Sequence, residues 1–167
     1  MLPRKLKNFA WFADGVSYVG QAAEITLPSL SRKTEEMRNG GMNAPIDSDM
    51  GMEGMTMEVT TGLARELFTG FGHPKADGVL WRFTGAYQES TSGAVTAVEI
   101  VARGRYKEIN MGNAKAGEDA PIKLSMSLAY YKLTIDNEVV VEVDPINFVE
   151  VINGEDRLAA QKAALGI

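Results

Sequence analysis

Strict alternation of apolar and polar side chains limits the fold of this chain more than any other sequence feature. It is clearest over residues 122–130. The apolar positions are Ile122, Leu124, Met126, Leu128 and Tyr130, and the positions between them are Lys123, Ser125, Ser127 and Ala129. Successive side chains of a β-strand point to opposite faces of its sheet. The pattern therefore predicts a strand with one buried face and one polar face.

A second alternating segment precedes it. Met55, Met57 and Val59 alternate with the polar residues Thr56, Glu58 and Thr60. Met50 and Met52 have the opposite parity across Gly54, and a β-bulge at Gly54 would reconcile the two registers. Further strands are predicted over residues 23–27, 79–87, 94–103 and 138–144, separated by the turn-forming pairs Asp77-Gly78, Ser92-Gly93 and Asp136-Asn137.

Two segments are predicted to be helical. Residues 61–71 carry apolar side chains at spacings of four, with Thr60 or Thr61 as N-cap and Gly72 as stop. A C-terminal helix is predicted to start at Glu155-Asp156, capped by Asn153, and to end before Gly166. The expected fold is a mainly β protein. It is an antiparallel β-sandwich or barrel with one flanking helix and a short C-terminal helix, in a single domain spanning residues 1–167.

Composition excludes several classes of function. The chain has no cysteine, which rules out disulfides and thiolate metal sites and fits a reducing cytoplasm. Its net charge of −5 disfavours nucleic-acid binding, which needs clustered Lys and Arg. Residues 39–64 contain four acids and no Lys or Arg, and residues 133–156 contain seven acids and no Lys or Arg. These two stretches indicate either solvated loop and edge-strand charge or acidic surfaces that repel polyanions.

No combination of residues predicts catalysis, a cofactor or a metal. His73 is the only histidine and has no partner nearby in the sequence for acid–base chemistry, so we interpret it as a loop residue. The Met50/Met52 and Met55/Met57 pairs resemble soft copper(I) ligands, but adaptable packing explains them more simply. Adjacent carboxylates such as Glu35-Glu36 would point to opposite faces of a strand. The chain is therefore expected not to be an enzyme.

Two long polar segments, residues 33–46 and 106–121, lie between predicted strands. Loops of this length in a compact domain are usually functional or become ordered on a partner. We therefore expect both segments to make contacts outside the subunit.

Blocks of sequence along almost the whole chain resemble, in the same order, the major tail tube protein of contractile-tailed bacteriophages and of the related R-type bacteriocins. The match is weakest over residues 62–89. The matching blocks are residues 26–35, 38–45, 50–53, 103–109, 115–118, 130–136, 143–147 and 152–158. Asn137 stands where a turn glycine would be expected, but Asn also tolerates the left-handed conformation.

The resemblance implies a structural role. Subunits of this family form sixfold rings, and two long hairpins, here residues 33–60 and 94–133, join edge to edge into one β-barrel between subunits that lines a channel. Rings then stack into a tube. The resemblance assigns Thr56, Glu58, Thr60, Lys123, Ser125 and Ser127 to the channel face. It assigns Arg38, Asn39, Gly40, Gly41, Met42, Asn43, Asn110, Lys115 and Glu118 to ring stacking.

The family also implies partners and a location. The chain would pair with copies of itself and contact tail sheath, tape measure and baseplate or hub proteins. DNA would pass through the channel without specific binding, because an acidic lumen repels phosphates. The expected location is the tail of a virion or of a phage-tail-like particle, assembled in the bacterial cytoplasm. No direct membrane insertion is expected.

Two other classes of protein would place different requirements on the chain. A monomeric β-barrel carrier would enclose a small apolar ligand and would not need two long polar hairpins. A glycan-cleaving enzyme would need two carboxyl groups at a set separation, which the sequence does not locate.

Overall fold

A computed structural model describes all residues, 1–167, and the chain folds into twelve β-strands with two short helical segments. The strands are β1 (Lys5–Ala13), β2 (Val16–Ser17), β3 (Ala22–Thr26), β4 (Arg32–Met37), β5 (Ile46–Met52), β6 (Thr56–Thr61), β7 (Val79–Gln88), β8 (Val95–Asn110), β9 (Ile122–Ile135), β10 (Glu138–Asp144), β11 (Val149–Ile152) and β12 (Glu155–Asp156). A 3-10 helix covers Arg65–Gly70, and α1 covers Ala159–Leu165. No helix is long and apolar enough to span a membrane.

The long hairpin β8–β9 connects two blocks of antiparallel sheet. The short block has the order β3–β6–β9–β8 and uses the first half of β9 and the second half of β8. The long block has the order β2–β1–β7–β8–β9–β10–β11–β12 and uses the other halves of the same two strands. β4 and β5 pair only with each other in a separate two-stranded sheet. We call β4, β5 and the loop of residues 38–45 between them the arm.

The hairpin changes from one block to the other at a β-bulge. Arg103 pairs with Tyr130 and Gly104 pairs with Leu128, so Ala129 is an extra residue in β9. A Cβ at Gly104 would lie 2.0 Å from the carbonyl oxygen of Ser127, so only glycine fits here. The predicted alternation of buried and exposed side chains is wrong beyond this bulge. Tyr131, not Tyr130, is buried beyond it, because one extra residue reverses which face each side chain points to.

Nineteen buried apolar residues form one core between the inner faces of the two blocks. Aromatic rings from β1, β7 and β8 fill its centre: Trp11 meets Trp81 edge to face at 5.3 Å, and Trp81 meets Tyr106 at 5.6 Å. Edge-to-face contacts of this kind add to the stabilisation from burial. Burial raises the pKa of Tyr106 to about 12. The sandwich is therefore filled by its own side chains.

Several predicted strands are confirmed, and others were missed. The predictions over residues 23–27, 79–87 and 138–144 match β3, β7 and β10 closely, and Asp136 and Asn137 form a left-handed turn at φ 48° and 66°. β8 extends past the predicted end at residue 103, into a segment expected to be loop. β1 was not predicted, because apolar residues occupy both of its faces and hide the period of two.

The predicted bulge at Gly54 is wrong. The parity changes there because β5 belongs to the arm and β6 to the short block, and the chain crosses between two sheets. The hairpin expected over residues 33–60 is therefore divided at this point, whereas the one over residues 94–133 is present as β8–β9. β4 and the first residue of β5 also lie within residues 33–46, which were expected to be a polar loop.

Both helix predictions need correction. Thr61 is the last residue of β6, and only Arg65–Gly70 is helical, as a 3-10 helix. Leu63 and Phe71 are 70% and 58% exposed, so the spacing of four does not create a buried stripe. At the C-terminus, Glu155 and Asp156 form β12, so α1 starts later than predicted. Gly166 ends α1 at φ 74°, as expected.

Candidate functional site

The six residues assigned to the channel face lie together on the outer face of the short block. Thr56 pairs with Ser127, Glu58 with Ser125 and Thr60 with Lys123 across β6 and β9. They are brought together because both strands alternate with a period of two and are paired in register. The result is one continuous surface of small and polar side chains.

The opposite face of the same strands is apolar and closed. Met57, Val59, Leu124 and Met126 are each 0% exposed. Burial of this face fixes the register of β6 on β9, since a slip by one residue would expose all four side chains. The polar face is therefore held in one orientation by the core beneath it.

Charge on the polar face is nearly balanced. The Glu58 carboxylate lies 3.5 Å from the Lys123 ammonium in an exposed ion pair, which contributes little to stability. The acidic stretch of residues 39–64 does not form a single surface: Asp47 and Asp49 lie on the arm, whereas Glu58 lies on the short block. The acidity expected for this face is thus smaller than the sequence indicated.

Both edges of the short block are unpaired. β3 pairs on one side with β6 and has no strand on its other side. The second half of β8, residues 105–110, pairs with β9, whereas β7 ends its pairing at Gly104. Unpaired strand edges attract further strands, which natural proteins normally prevent or use for assembly. The short block is therefore open on both sides.

The arm projects from the sandwich with none of its side chains buried. All six residues of β4 are exposed, and β5 contains no buried residue. Two apolar side chains pair near its tip, Met37 and Ile46, and they are 42% and 53% exposed. A two-stranded hairpin is marginal in water without a partner surface. Within its own subunit the arm meets the sandwich at its base, where Met52 packs against the core.

At the base of the arm, Arg32 connects it to the long block. Its guanidinium donates to Asp49, with Nε 2.9 Å from Oδ2, and forms an ion pair with Glu150 on β11. The hydrogen bond from Arg32 holds the pKa of Asp49 below its usual value. Glu150 is only 7% exposed, so it depends on this cation for compensation. No sequence pattern indicates this contact, because its partners are separated by 118 positions along the chain.

The residues assigned to ring stacking lie in two exposed loops. Arg38 to Asn43 form the tip of the arm, where the Arg38 Nε donates to the Met42 carbonyl oxygen at 3.4 Å. Asn110 ends β8 and accepts from the Gly112 amide at 2.8 Å. Lys115 and Glu118 pair at 3.2 Å in the loop that follows. The contacts within each loop are local, so neither loop is tied to the sandwich.

A buried carboxylate that the sequence did not reveal holds the N-terminal segment. Glu89 is 6% exposed and accepts from the amides of Leu2, Thr91 and Ser92 and from the Ser92 hydroxyl at 2.7 Å. Hydrogen bonds from Thr91, Ser92 and Leu2 lower the pKa of Glu89 to about 2. A carboxylate bonded in this way stays charged at neutral pH and fixes the start of the chain to the end of β7.

A cleft of about 1200 Å³ opens beside the core, and the core residues Met55 and Leu128 form part of its wall. It runs along the base of the arm, β10, β11 and the start of α1, and Arg32 and Glu150 are part of its lining. A monomeric β-barrel carrier would hold its ligand inside the sandwich, but aromatic and aliphatic side chains occupy that space. His73 contributes only to a loop, where its Nδ1 accepts from the Lys75 amide at 3.1 Å.

Comparison with known sequences gives consistent results. The family model of phage tail tube protein FII matches residues 3–166. The chain is 42% identical over 173 aligned positions to the tail tube protein of Escherichia phage P2, with 99% of each chain covered. It is 32% identical over 158 positions to the major tail tube protein of Serratia phage KSP20, covering 93% of this chain and 91% of the relative.

Solved structures share the fold at low sequence identity. One is the sheath-tube complex of an extracellular contractile injection system, PVC, in its extended state, with a TM-score of 0.61 at 10% identity over 79% of this chain and 91% of the other. Another is the anti-feeding prophage baseplate, with a TM-score of 0.51 at 13% identity over 81% of this chain and 96% of the other. The expected antiparallel β fold is confirmed by these likenesses.

Proposed function

The chain belongs to the phage tail tube protein family, and from this premise we propose that its copies close into rings that stack into the inner tube of a contractile tail. The family is structural, so the expectation that the chain is not an enzyme is confirmed. The observation that carries the proposal is the open short block, with unpaired edges at β3 and at the second half of β8.

Ring closure would satisfy both edges at once. An edge of β8 in one copy pairs with β3 of the next, and repetition around a closed ring leaves no strand unpaired. A ring of six such four-stranded blocks is a continuous β-barrel. Because the two edges differ, the contact is head to tail, and every subunit has an identical environment.

The polar face of the short block would line the channel. Its core face is sealed by Met57 and Leu124, so only the face with Ser125, Ser127 and Thr56 can point into the lumen. Short hydroxyl side chains and the paired Glu58 and Lys123 offer a phosphate backbone no excess of positive charge. DNA would therefore pass without binding.

Stacking would be the task of the two loops. The arm tip and the β8–β9 loop carry exposed apolar and polar groups that nothing in the subunit covers, including Met37, Met111 and Lys115. Contact with the next ring would bury these groups and give the tip of the arm a partner surface. Similar exchange of these loop amides in isolated subunits and in tubes would argue against this role.

A tube of this kind has a sheath outside it and a baseplate at its end, as in the complexes of similar fold. A tape measure protein would lie in the channel during assembly. The finished protein would be part of the virion tail, assembled in the host cytoplasm. These partners are proposed from family membership, and the outer face of the long block is the surface left for the sheath.

The ring contact can be tested by chemical crosslinking, because the chain contains no cysteine. A double variant, Thr26→Cys with Arg105→Cys, places one thiol beside each open edge. After treatment with a short bismaleimide, the proposal predicts a ladder of covalent oligomers that ends at the ring size. The measurement is denaturing electrophoresis with mass determination.

Variants with both thiols on one edge supply the matched control. Glu24→Cys with Thr26→Cys labels only β3, so head-to-tail contact cannot extend its crosslinks into a ladder. If the double-edge variant also stays monomeric after crosslinking at concentrations where electron microscopy shows tubes, edge pairing is not the ring contact. If no tubes or rings form at all, the proposed function itself is wrong.

A further inference from the structure

The two lateral sides of the sandwich differ in charge. β8 and β9 run side by side through both blocks, so each block has a β8 side and a β9 side. The β8 side comprises the open half of β8 together with β7, β1 and β2. The β9 side comprises β6 and β3 in the short block and β10, β11 and β12 in the long block. Contact between the open edges of β8 and β3 in two copies therefore also brings the β1 side of one long block towards the β10–β12 side of the next.

The β8 side is basic. Residues 1–13 contain three bases, Arg4, Lys5 and Lys7, and no acid. All three are exposed, and none forms an ion pair within the subunit. The outer edge of β1 also has no strand partner from Lys5 to Ala10. The open half of β8 adds Arg105 and Lys107 against one acid, Glu108. These cations have no partner in their own chain.

The β9 side is acidic. Residues 133–156 contain seven acids and no Lys or Arg, and Glu24 lies on the open strand β3. Three of the seven are paired within the subunit: Glu150 with Arg32, Glu155 with Arg157 and Asp156 with Lys162. The remaining four form no ion pair; they are Asp136, Glu138, Glu142 and Asp144. They lie on β10 and the turn before it.

We propose that these two sides are complementary halves of the ring contact, with the basic N-terminal strand of one copy facing the acidic β10–β12 side of the next. The inference rests on the proposed ring function and adds a second contact to it, between the long blocks. Both groups lie at the same end of the strands, because Lys5 pairs with Gln88, beside the start of β8, and Glu138 pairs with Ile135. A rotation about an axis parallel to the strands, relating one copy to the next, leaves the basic and the acidic groups at the same position along that axis.

Opposite charge on the two sides has a physical consequence. It favours head-to-tail encounter and disfavours contact between like sides, which carry like charge. It also makes assembly sensitive to salt, because contacts between exposed charges weaken as the Debye length falls. The charges therefore direct subunits towards ring closure rather than towards disordered edge pairing.

Charge reversal on one side at a time tests the proposal. The first variant, Lys5→Glu with Lys7→Glu, makes the β1 side acidic, and the second, Glu138→Lys with Glu142→Lys, makes the β10 side basic. Each alone would place like charges against each other in every ring contact. We expect the lowest concentration at which each forms rings to rise roughly tenfold or more at low salt. Light scattering and electron microscopy measure it, and circular dichroism checks the fold.

Assembly of a mixture of the two variants is a positive result that misfolded protein would not give. In an alternating ring every contact joins opposite charges again, so the mixture is expected to assemble where neither variant does. The matched control, Arg65→Glu with Lys75→Glu, makes the same change in charge in the 3-10 helix and in a loop, and should assemble like the unmodified chain.

Two results would overturn the inference while leaving the proposed function intact. One is normal ring formation by each variant alone, and the other is failure of the mixture to assemble although both variants are folded. Failure of the unmodified chain to form rings would instead count against the proposed function.

Discussion

The arm and the β8–β9 hairpin are both long antiparallel pairs ending in polar loops, yet they depend on different neighbours. One face of β8–β9 is sealed in the core, where Leu124 and Met126 are 0% exposed. The arm has no buried side chain on either strand, and Arg32 joins its base to β11. The buried face of β8–β9 therefore helps to determine the fold of the subunit, whereas the arm is free for contacts between subunits.

The difference separates stability from assembly. Burial of apolar area is the main stabilising contribution to a fold, so changes in β8–β9 should appear in the unfolding of the single subunit. Changes in the arm should leave unfolding nearly unaltered and appear only when subunits associate. Four substitutions or conditions test this separation.

The largest effect is expected for the same substitution made in both hairpins. Met126→Ala removes a fully buried side chain and should lower the free energy of unfolding by about 3 kcal/mol. Met37→Ala removes a 42% exposed side chain and should change it by less than about 0.5 kcal/mol, yet weaken tube formation. Urea unfolding and electron microscopy measure the two effects. Equal losses of stability would show that the arm contributes as much to folding as β8–β9.

A pair of glycine substitutions should give the next largest effect. Gly104→Ala places a Cβ 2.0 Å from the Ser127 carbonyl oxygen at the bulge, and the backbone must shift, at about 2 kcal/mol. Gly54→Ala, where the chain leaves the arm, meets nothing within 4 Å and should be nearly neutral. Thermal unfolding distinguishes them. A neutral Gly104→Ala would show that the two blocks are not joined by a tight bulge.

Removal of the Arg32 guanidinium should affect the arm more than the core. In Arg32→Met the Glu150 carboxylate loses its partner, and the arm loses its attachment to β11. Amide exchange in β4 and β5 should speed up by roughly tenfold while exchange in β9 changes much less. Lys33→Met, next in the chain but without an ion pair, is the control. An unchanged arm in Arg32→Met would mean that other contacts hold it.

The smallest effect is expected from moderate acid. Glu89 has a folded-state pKa of about 2 against an ordinary 4.5, so the unfolded chain binds more protons between these values. Its stabilising contribution is complete above about pH 4.5 and is lost as the pH falls towards 2. The pKa of Asp49 is also lowered, so protonation of Asp49 in acid should weaken its contact with Arg32 and loosen the arm. Melting temperatures of the unmodified chain should fall more steeply with acid than those of Glu89→Gln. Parallel curves for the two proteins would contradict this.

Sequence patterns predicted the hairpin with a buried face far better than the arm. Alternation located β9, β6 and the polar face formed by residues such as Ser125 and Thr56, since a buried face forces a period of two. It failed at Ala129, where one unpaired residue reverses the parity, and a bulge has no alternation signal of its own. β4 and β5 resembled a loop because they bury nothing. The contacts of Arg32 and Glu89 bring distant segments together, which no local pattern records.

Pairing of the open edges of β3 and β8 between copies can be detected by hydrogen exchange of the β3 amides and of residues 105–110, compared between dilute subunits and concentrated protein. The amides of these segments that point away from β6 and β9 have no strand partner within one chain, and they are the ones that report on ring closure. Edge pairing predicts rapid exchange in isolated subunits and strong protection once rings with a central hole are visible by electron microscopy. Protein that remains monomeric at high concentration, or amides that exchange equally before and after assembly, would contradict it.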